Sequence, residues 1–565
     1  MKYRNKIRLG LLTVVAAGIA AAQPKIDSIV NNYSFAPPGS PSYGIAQGSL
    51  FALKGTGLGL AQTPSLPDLT QGPLTTSLSG VSVSITVGGV TAQAPLYYVF
   101  DKQIAGILPS ATPVGTGTVT VTFNGQTSAA APITVVAAAF GLSGGMLNAA
   151  NLPLAPARVA HPGDTVILWG SGLGAAAGDE TKYPFPQADL TSKSNVKVYI
   201  GGQSAAVAYA GRSAFPAVDQ INVVVPQGVS GCNVGVVVQT GNFVGNTATI
   251  PVAASGTFCS DTSTTGLTPT DYQDILNKGS VRSGYILVGK TTTQTPGISV
   301  GGISLPSSTS TSDYASAAFS QYTASQFTST GGGVSIQQTS LGSCTTYQIQ
   351  IDTGGTPPTV VPPVILDAGV VTMRLPNSSS MTLTKNALGT YSLNGSDAQG
   401  SRSPLFIPAT GGLFSFTNTG GADVGAISGA QITMPPALNW TNIDAINTVV
   451  RAQGVTVNWN TSNPYSGFVT VTGSSFSSGA LSGTNAATLF TQFTCTAPYS
   501  AGTFNVPPYI LLALVPGQGS VGGITIPTGS LSLGLNATPV RFTAPSIDYA
   551  FLTAISTTGK SVNYQ

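Results

Sequence analysis

A chain of 565 residues with only 7% charged side chains and a net charge of +3 has no basic stripe for nucleic acid and little field to steer a charged partner. Its hydrophobic fraction of 42% supplies ample core material, so the scarcity of charge does not signal disorder. The exterior must therefore be made of Ser, Thr, Asn, Gln and Gly, a composition suited to extracellular β-proteins that lie against polymers or against copies of themselves.

In chain order, Lys2, Arg4, Lys6 and Arg8 precede an apolar run from Leu11 to Ala22 that ends in Ala20-Ala21-Ala22. Residues 1–22 read as a secretion signal cleaved before Gln23, because the run falls short of the ~20 apolar residues that span a bilayer. Downstream, Ile510 to Val515 is long enough only for a buried strand, so no membrane span is expected after signal removal. The mature chain is expected to be secreted or held at the cell surface.

Residues 23–136 show period-2 alternation. Val81, Val83, Ile85 and Val87 are separated by Ser82, Ser84 and Thr86, and Val119, Val121 and Phe123 alternate with Thr118, Thr120 and Thr122. Gly88-Gly89 and Asn124-Gly125 sit where tight hairpins need positive φ. Residues 137–254 repeat the scheme: Val196, Val198 and Ile200 precede Gly201-Gly202, and apolar runs Val223 to Pro226 and Val234 to Val238 follow. The two stretches share punctuation. Gly55-Thr56-Gly57-Leu58-Gly59 recurs as Gly170-Ser171-Gly172-Leu173-Gly174, and Gln103-Ile104 with Pro109 recurs as Gln220-Ile221 with Pro226. A duplicated unit of short, turn-bounded strands predicts tandem sandwiches.

On these residues the repeats resemble the immunoglobulin-like IPT/TIG fold, and more narrowly the TIG-like repeats of large secreted proteins of acidobacterial type. Asp219-Gln220-Ile221-Asn222-Val223 with Val225-Pro226 matches the narrower pattern, whereas Ala105 and Gly106 replace the Asn-Val pair in the first repeat. The resemblance implies two Ig-like β-sandwiches and is silent on function, because sandwiches host unrelated roles.

Residues 255–565 resemble a C-terminal region of uncharacterised secreted proteins from the same bacteria, which carries no known activity. Thr268 as N-cap, Pro269 in the first turn, Asp271 at the positive end and Gly279 as the stop predict a short helix. Thr323 with Gln326 predicts one more helical turn. Strand signals dominate the rest: Tyr285 to Val288, Val455-Val457-Trp459, Phe468 to Val471 and a strand near Val562. A Pro-rich stiff connector suggests a seam at 354–364, within one composite region or between a pair of domains. The fold class is expected to be all-β, with one or two short helices.

Four cysteines in an exported chain predict two disulfides, for which three connectivities exist. Cys232 and Cys259 flank the end of the second repeat and are expected to pair. Cys344 then joins Cys495, closing a long loop across the seam.

No catalytic constellation, cofactor site or metal site is expected. His161, the only histidine, lies in the turn sequence His161-Pro162-Gly163-Asp164. Glu180 and the aspartates 101, 164, 219, 367, 444 and 548 are scattered, and Asp261, Asp271 and Asp274 lack calcium-loop spacing. Gly170 to Gly174 lacks the Lys-Ser/Thr of a phosphate loop. Trp169 and Trp459 are read as core residues. Trp440, after Pro435-Pro436, is the candidate ligand contact, together with whichever of Tyr97 and Tyr98 faces outward.

The functional expectation is a non-enzymatic modular protein for adhesion or for binding an extracellular polysaccharide or a cell-surface protein. Its repeats would act as spacers. The alternatives are a polysaccharide-acting hydrolase with its site in the C-terminal region and a self-assembling fibre subunit. The sequence leaves the oligomeric state open.

Overall fold

The computed structural model describes residues 23–61, 64–68, 72–295, 297–300, 303–329, 338–352, 362–398, 403–479, 487–521 and 524–565. The signal segment 1–22 and residues 354–361 of the expected seam lie outside the described residues.

The first repeat is built from β1 (Lys25–Asn31), β2 (Leu50–Thr56), β3 (Val81–Val87), β4 (Leu96–Val99), β5 (Gln103–Ile107), β6 (Gly115–Phe123) and β7 (Ala131–Val136). One sheet has the order β1-β2-β5-β4; the other runs β7-β6-β3, with Ile45–Ala46 lying parallel on β7. This is the strand order of an immunoglobulin-type sandwich. The alternation in β3 has its expected cause: Val81, Val83, Ile85 and Val87 are buried against Phe51, Leu53 and Ile104, while Ser82, Ser84 and Thr86 stand outside. Gly88 and Gly89 have φ of 57° and 79°, and Asn124 and Gly125 have 48° and 81°, the paired left-handed residues of a two-residue hairpin.

The second repeat contains β8 (Thr165–Ser171), β9 (Val196–Ile200), β10 (Gln203–Arg212), β11 (Asp219–Val224), β12 (Gly231–Thr240) and β13 (Ala248–Val252). Strand β10 pairs with β9 over Gln203–Ala205 and with β11 from Ala206 on, with a register slip between Val207 and Tyr209 inside the second ladder. One long strand thus pairs with two neighbours in succession, and the bulge bends it.

The duplicated glycine turn has a common cause in the two repeats. The Gly57 N–H donates to Asp101 Oδ1 (2.9 Å); the Gly172 and Leu173 N–H groups donate to Asp219 Oδ2 (2.7 and 2.8 Å). Gly172 has φ of 122°, and a Cβ there would sit 2.1 Å from the Ala139 carbonyl oxygen, so no other residue fits. An aspartate capping a tight turn therefore explains the repeated Gly-x-Gly-Leu-Gly punctuation.

Polar contacts join the two sandwiches. Asn31 Nδ2 donates to the Ser171 carbonyl (2.9 Å), the Leu50 N–H donates to Ser171 Oγ (2.8 Å), and the Ser110 N–H donates to Glu180 (2.9 Å). Arg212, fully buried, donates to the Gly48 carbonyl of the first repeat and to the Gly174 carbonyl (2.8 Å).

The C-terminal region is organised by a sheet of twelve strands among the described residues. Its principal strands are β14 (Ser280–Thr295), β15 (Ser308–Thr323), β16 (Cys344–Asp352), β17 (Tyr391–Ser396), β18 (Gly467–Gly479), β19 (Ala487–Pro498), β20 (Gly529–Ala537) and β21 (Tyr549–Tyr564), in the order β16-β19-β18-β20-β21-β14-β15-β17. Strands from both sides of residues 354–364 lie in it. One face carries the core. Ile286, Val288, Ala317 and Leu552 pack on Met373, Phe414 and Phe416, and Val469, Val471, Leu533 and Phe493 pack on Trp440, Val457 and Trp459. Each Val, Leu or Phe so buried contributes about 1.5–3 kcal/mol.

On the opposite face the end near Ser280 is covered by α1 (Pro269–Lys278), whose Tyr272 and Ile275 pack with Tyr549 and Phe551. On the same face Thr494 and Thr496 are buried as well, Thr496 against Thr339 (2.9 Å). Thr268 and Asp271 form a reciprocal capping box, and Gly279 closes the helix at φ 70°. The second expected turn is the helix Ala324–Ser329, where Thr323 and Gln326 exchange hydrogen bonds of 2.9 and 3.1 Å. Ile510 to Val515 is buried as expected but is not a strand. It opens with the helical turn Pro508–Leu511, because Pro508 supplies a helical φ and lacks the N–H a ladder needs.

Both disulfides form as expected. Cys232–Cys259 ties the start of β12 to the chain beyond β13, and Cys344–Cys495 joins directly opposed residues of β16 and β19.

Candidate functional site

Beyond the end covered by α1, the second face of the large sheet carries mostly hydroxyl side chains among the described residues. Because Val469, Val471, Leu531 and Leu533 point into the core, their alternating neighbours lie on the other face: Thr470, Thr472, Ser530, Ser532 and Gly534, with buried Phe468 at the strand's start. Cross-strand register sets them in rows. One row runs Ser310, Thr293, Gly559, Ser532, Thr472, Thr494, Thr345 across seven strands. The next runs Ser530, Ser474, Gln492, Tyr347, and beyond it lie Phe476, Phe490 and Ile349. Strand spacing sets the hydroxyls about 4.8 Å apart across the sheet and nearly 7 Å along it.

The charges that these strands carry are turned to the covered face. Lys290 Nζ donates to the Ile407 carbonyl (2.8 Å) and Lys560 Nζ to the Ile443 carbonyl (2.9 Å); Asp313 accepts from the Phe406 and Ile407 N–H groups (2.7 and 2.6 Å). The hydroxyl rows are partly knitted together: Ser474 and Ser530 are 2.9 Å apart, and Asn536 Nδ2 donates to Thr470 Oγ1 (3.1 Å). At one side, Ser312, Tyr314, Asn394, Ser396 and Ser403 line a depression of about 350 Å³. The Tyr314 ring lies across Gly289, where a Cβ would come within 2.3 Å of it, and burial raises its phenol pKa. At the opposite side Tyr347 (46% exposed), Phe476 (45%) and Ile349 (38%) form an apolar strip. This arrangement offers neutral hydrogen bonding beside aromatic contact.

The residues singled out from the sequence lie elsewhere. Trp440 corrects the expectation of a surface contact. It is 4% exposed, pairs with Trp459 through an isolated antiparallel bridge and donates from Nε1 to Asn442 Oδ1 (2.9 Å). Its proline-rich approach looks like a surface loop, but the ring is needed to fill the core beneath the sheet. Tyr97 is part-buried at the junction of the two repeats, where its hydroxyl donates to the Pro216 carbonyl (2.7 Å) and burial raises its pKa. Tyr98, on the neighbouring position, is half-buried and receives a hydrogen bond from Gln103.

His161 stays in its turn. Its Nε2 meets the Gly256 carbonyl (2.8 Å), which raises the imidazole pKa, and Nδ1 meets Asp164 (3.2 Å). The three aspartates near the helix are separately engaged: Asp261 by the Cys232 and Asn233 N–H groups, Asp271 by Arg541, Asp274 by Lys278. Trp169 is a second correction: it stands half-exposed on the outside of the second sandwich.

The open face is not evident in the sequence, where its strands read as short apolar segments. The signal in the sequence is the Ser/Thr-rich continuation, Thr291 to Thr295 and Thr470 to Ser478, which runs past the apolar part of each strand.

No family model matches the chain, and no curated protein sequence matches it. Solved structures share local likeness only. The plexin A4 extracellular region is 15% identical, over 40% of this chain and 18% of that one, at a TM-score of 0.16. Domains 5–6 of the S-layer protein SbsC are 13% identical, over 41% and 100%, at 0.13. A Bacteroides ovatus glucan-utilisation protein, SGBP-B, solved with a mixed-linkage heptasaccharide, is 13% identical, over 79% and 97%, at 0.13. At that level of superposition the chain's own strand order defines its class, an all-β protein with two immunoglobulin-like sandwiches ahead of a large β-region.

Proposed function

We propose that this is a secreted or cell-surface binding protein without catalytic activity, which attaches to an uncharged extracellular polymer through the open face of its C-terminal sheet. The observation that carries the reading is the segregation of charge: Lys290, Asp313 and Lys560 point away from a face otherwise made of hydroxyls, amides and an aromatic strip. A neutral polysaccharide presents hydroxyl donors and acceptors along apolar ring faces, and this surface offers the matching groups without a charge to be desolvated. The two disulfides and the expected signal support an oxidising compartment outside the cytoplasm.

A hydrolase reading needs a pair of carboxylates converging on an open cleft. The carboxylate nearest the open depression, Asp313, is buried and engaged by two backbone N–H groups.

The test is retention on insoluble neutral polysaccharides (cellulose, chitin, insoluble α- and β-glucans) by the purified chain, residues 23–565. Retention on at least one, weakened by joint Tyr347→Ser and Phe476→Ser substitution with an unchanged melting temperature, is expected. Equal retention by the variant, or none on any polymer, overturns the reading.

A further inference from the structure

The second repeat carries an aromatic cluster outside every hydrophobic core. Strand β8 reads Thr165-Val166-Ile167-Leu168-Trp169; Val166 and Leu168 are buried, and Trp169 lies on the outer face. The Phe215 ring meets Trp169 edge-on at 6.4 Å between centroids and lies nearly parallel to Tyr183 at 5.4 Å. Phe215 and Tyr183 are 44% and 40% exposed.

The loop that presents Phe215 is held from both ends. The Phe215 N–H donates to Ser213 Oγ (3.1 Å), the Val218 N–H donates to the Phe215 carbonyl (3.1 Å), and the Pro216 carbonyl accepts from Tyr97 of the first repeat (2.7 Å). The Ala214 carbonyl accepts from the N–H of buried Phe185 (2.7 Å), which anchors the chain just after Tyr183. Gln220 is directly opposite Trp169 on β11, and its Nε2 donates to Asn222 Oδ1 (2.8 Å). That bond leaves Gln220 Oε1 and Asn222 Nδ2 for a ligand.

We propose that Trp169, Phe215 and Tyr183, with Gln220 and Asn222, form a glycan site on the second repeat, and that the ligand is a neutral hexopyranose chain. The argument rests on ring electronics and charge. The negative face of an aromatic ring attracts the polarised C–H bonds of a pyranose face, and adjacent amides bond the ring hydroxyls. Nucleobases also stack on aromatics, but a phosphate backbone needs a basic track, and the cations adjoining the cluster in sequence are each paired with an aspartate. Arg212 is buried in an ion pair, and Lys182 pairs with Asp179 at 3.7 Å. Because the platform is already held in place, binding orders few side chains. The second repeat is thus a binder, not only a spacer.

The three tryptophans give a selective readout: Trp440 and Trp459 are each 4% exposed, so Trp169 is the one that ligand and quencher reach. The experiment titrates the chain, residues 23–565, with cellohexaose, laminarihexaose and chitohexaose, read by tryptophan fluorescence and calorimetry. Expected is a saturable fluorescence change with at least one oligosaccharide and protection of Trp169 from acrylamide. Phe215→Ala should weaken binding at least tenfold at an unchanged melting temperature. Trp169→Phe should abolish the optical signal while calorimetric affinity falls only a few-fold. No saturable binding of any oligosaccharide, or equal affinity in Phe215→Ala, overturns the proposal. Self-association lost in Phe215→Ala, without an oligosaccharide signal, also overturns it and assigns the platform to a second copy. Tyr347→Ser with Phe476→Ser should leave this titration unchanged, so the two surfaces fail or succeed separately.

Discussion

Arg212 Nε lies 2.8 Å from Asp219 Oδ1, and both side chains have no exposure to solvent. Asp219 caps the glycine turn of the second repeat while Arg212 reaches carbonyls of both repeats, so one ion pair couples a turn to an inter-domain junction. The first repeat manages the same turn with Asp101, which is part-exposed and pairs with the exposed Lys102 at 3.1 Å, so no buried partner is needed.

Removing one member of this pair should therefore cost more than the pair itself is worth. Arg212→Ala leaves a buried carboxylate uncompensated and should lower stability by about 3–5 kcal/mol. Urea unfolding followed by hydrogen exchange in residues 137–254 checks this. An unchanged midpoint would show that the pair is dispensable.

A pH dependence follows from Asp261, whose carboxyl burial pushes up from 3.8 to about 6 against the opposing hydrogen bonds from Cys232, Ser340 and Asn233. The folded state holds this proton between about pH 4 and 6 while the unfolded chain has released it. Stability therefore falls as pH rises through that window, by about 3 kcal/mol in all. Asp261→Asn should flatten the slope in a pH series of thermal or urea unfolding. A slope that persists in the variant assigns it to another group.

The disulfides close loops of very different size, with sequence separations of 27 and 151. In the chain-entropy account the longer loop contributes about 1.5 kcal/mol more. Replacing Cys344 and Cys495 by Ser should accordingly destabilise more than replacing Cys232 and Cys259, as measured by unfolding midpoints. The reverse order would point to local packing as the dominant effect.

Trp440→Ala separates the core from the binding surfaces. With the indole buried beside Trp459, truncation should cost about 3–5 kcal/mol. Polysaccharide retention by the folded fraction should be unaltered. Loss of retention without loss of stability would return Trp440 to the surface.

The contrast between Val81 to Val87 and Val166 to Trp169 explains what the sequence discloses. In the first, every outward residue is Ser or Thr, so the alternation declares both faces. In the second, outward Ile167 is also apolar because it is tucked beside Leu147 at 7% exposure, and the run Val-Ile-Leu-Trp loses its alternation. Trp169 then passes for a core residue. Turns, caps and cysteine pairs are local or few enough to be legible. The parallel pairing of Ser283 with Tyr549 is neither, since no local preference brings residues so distant in the chain together. Without that pairing the rows Thr291–Thr557 and Thr293–Gly559 do not exist as a surface, and the open face stays hidden.

The most direct test of an uncharged binding face is the salt dependence of polymer retention. For the chain of residues 23–565 on its best insoluble neutral polysaccharide, affinity should stay constant within about twofold from low salt to 1 M, where screening reaches a few ångström. Affinity that falls steeply with salt would contradict the account, because it would place the attachment on the few exposed charges instead of on the hydroxyl rows.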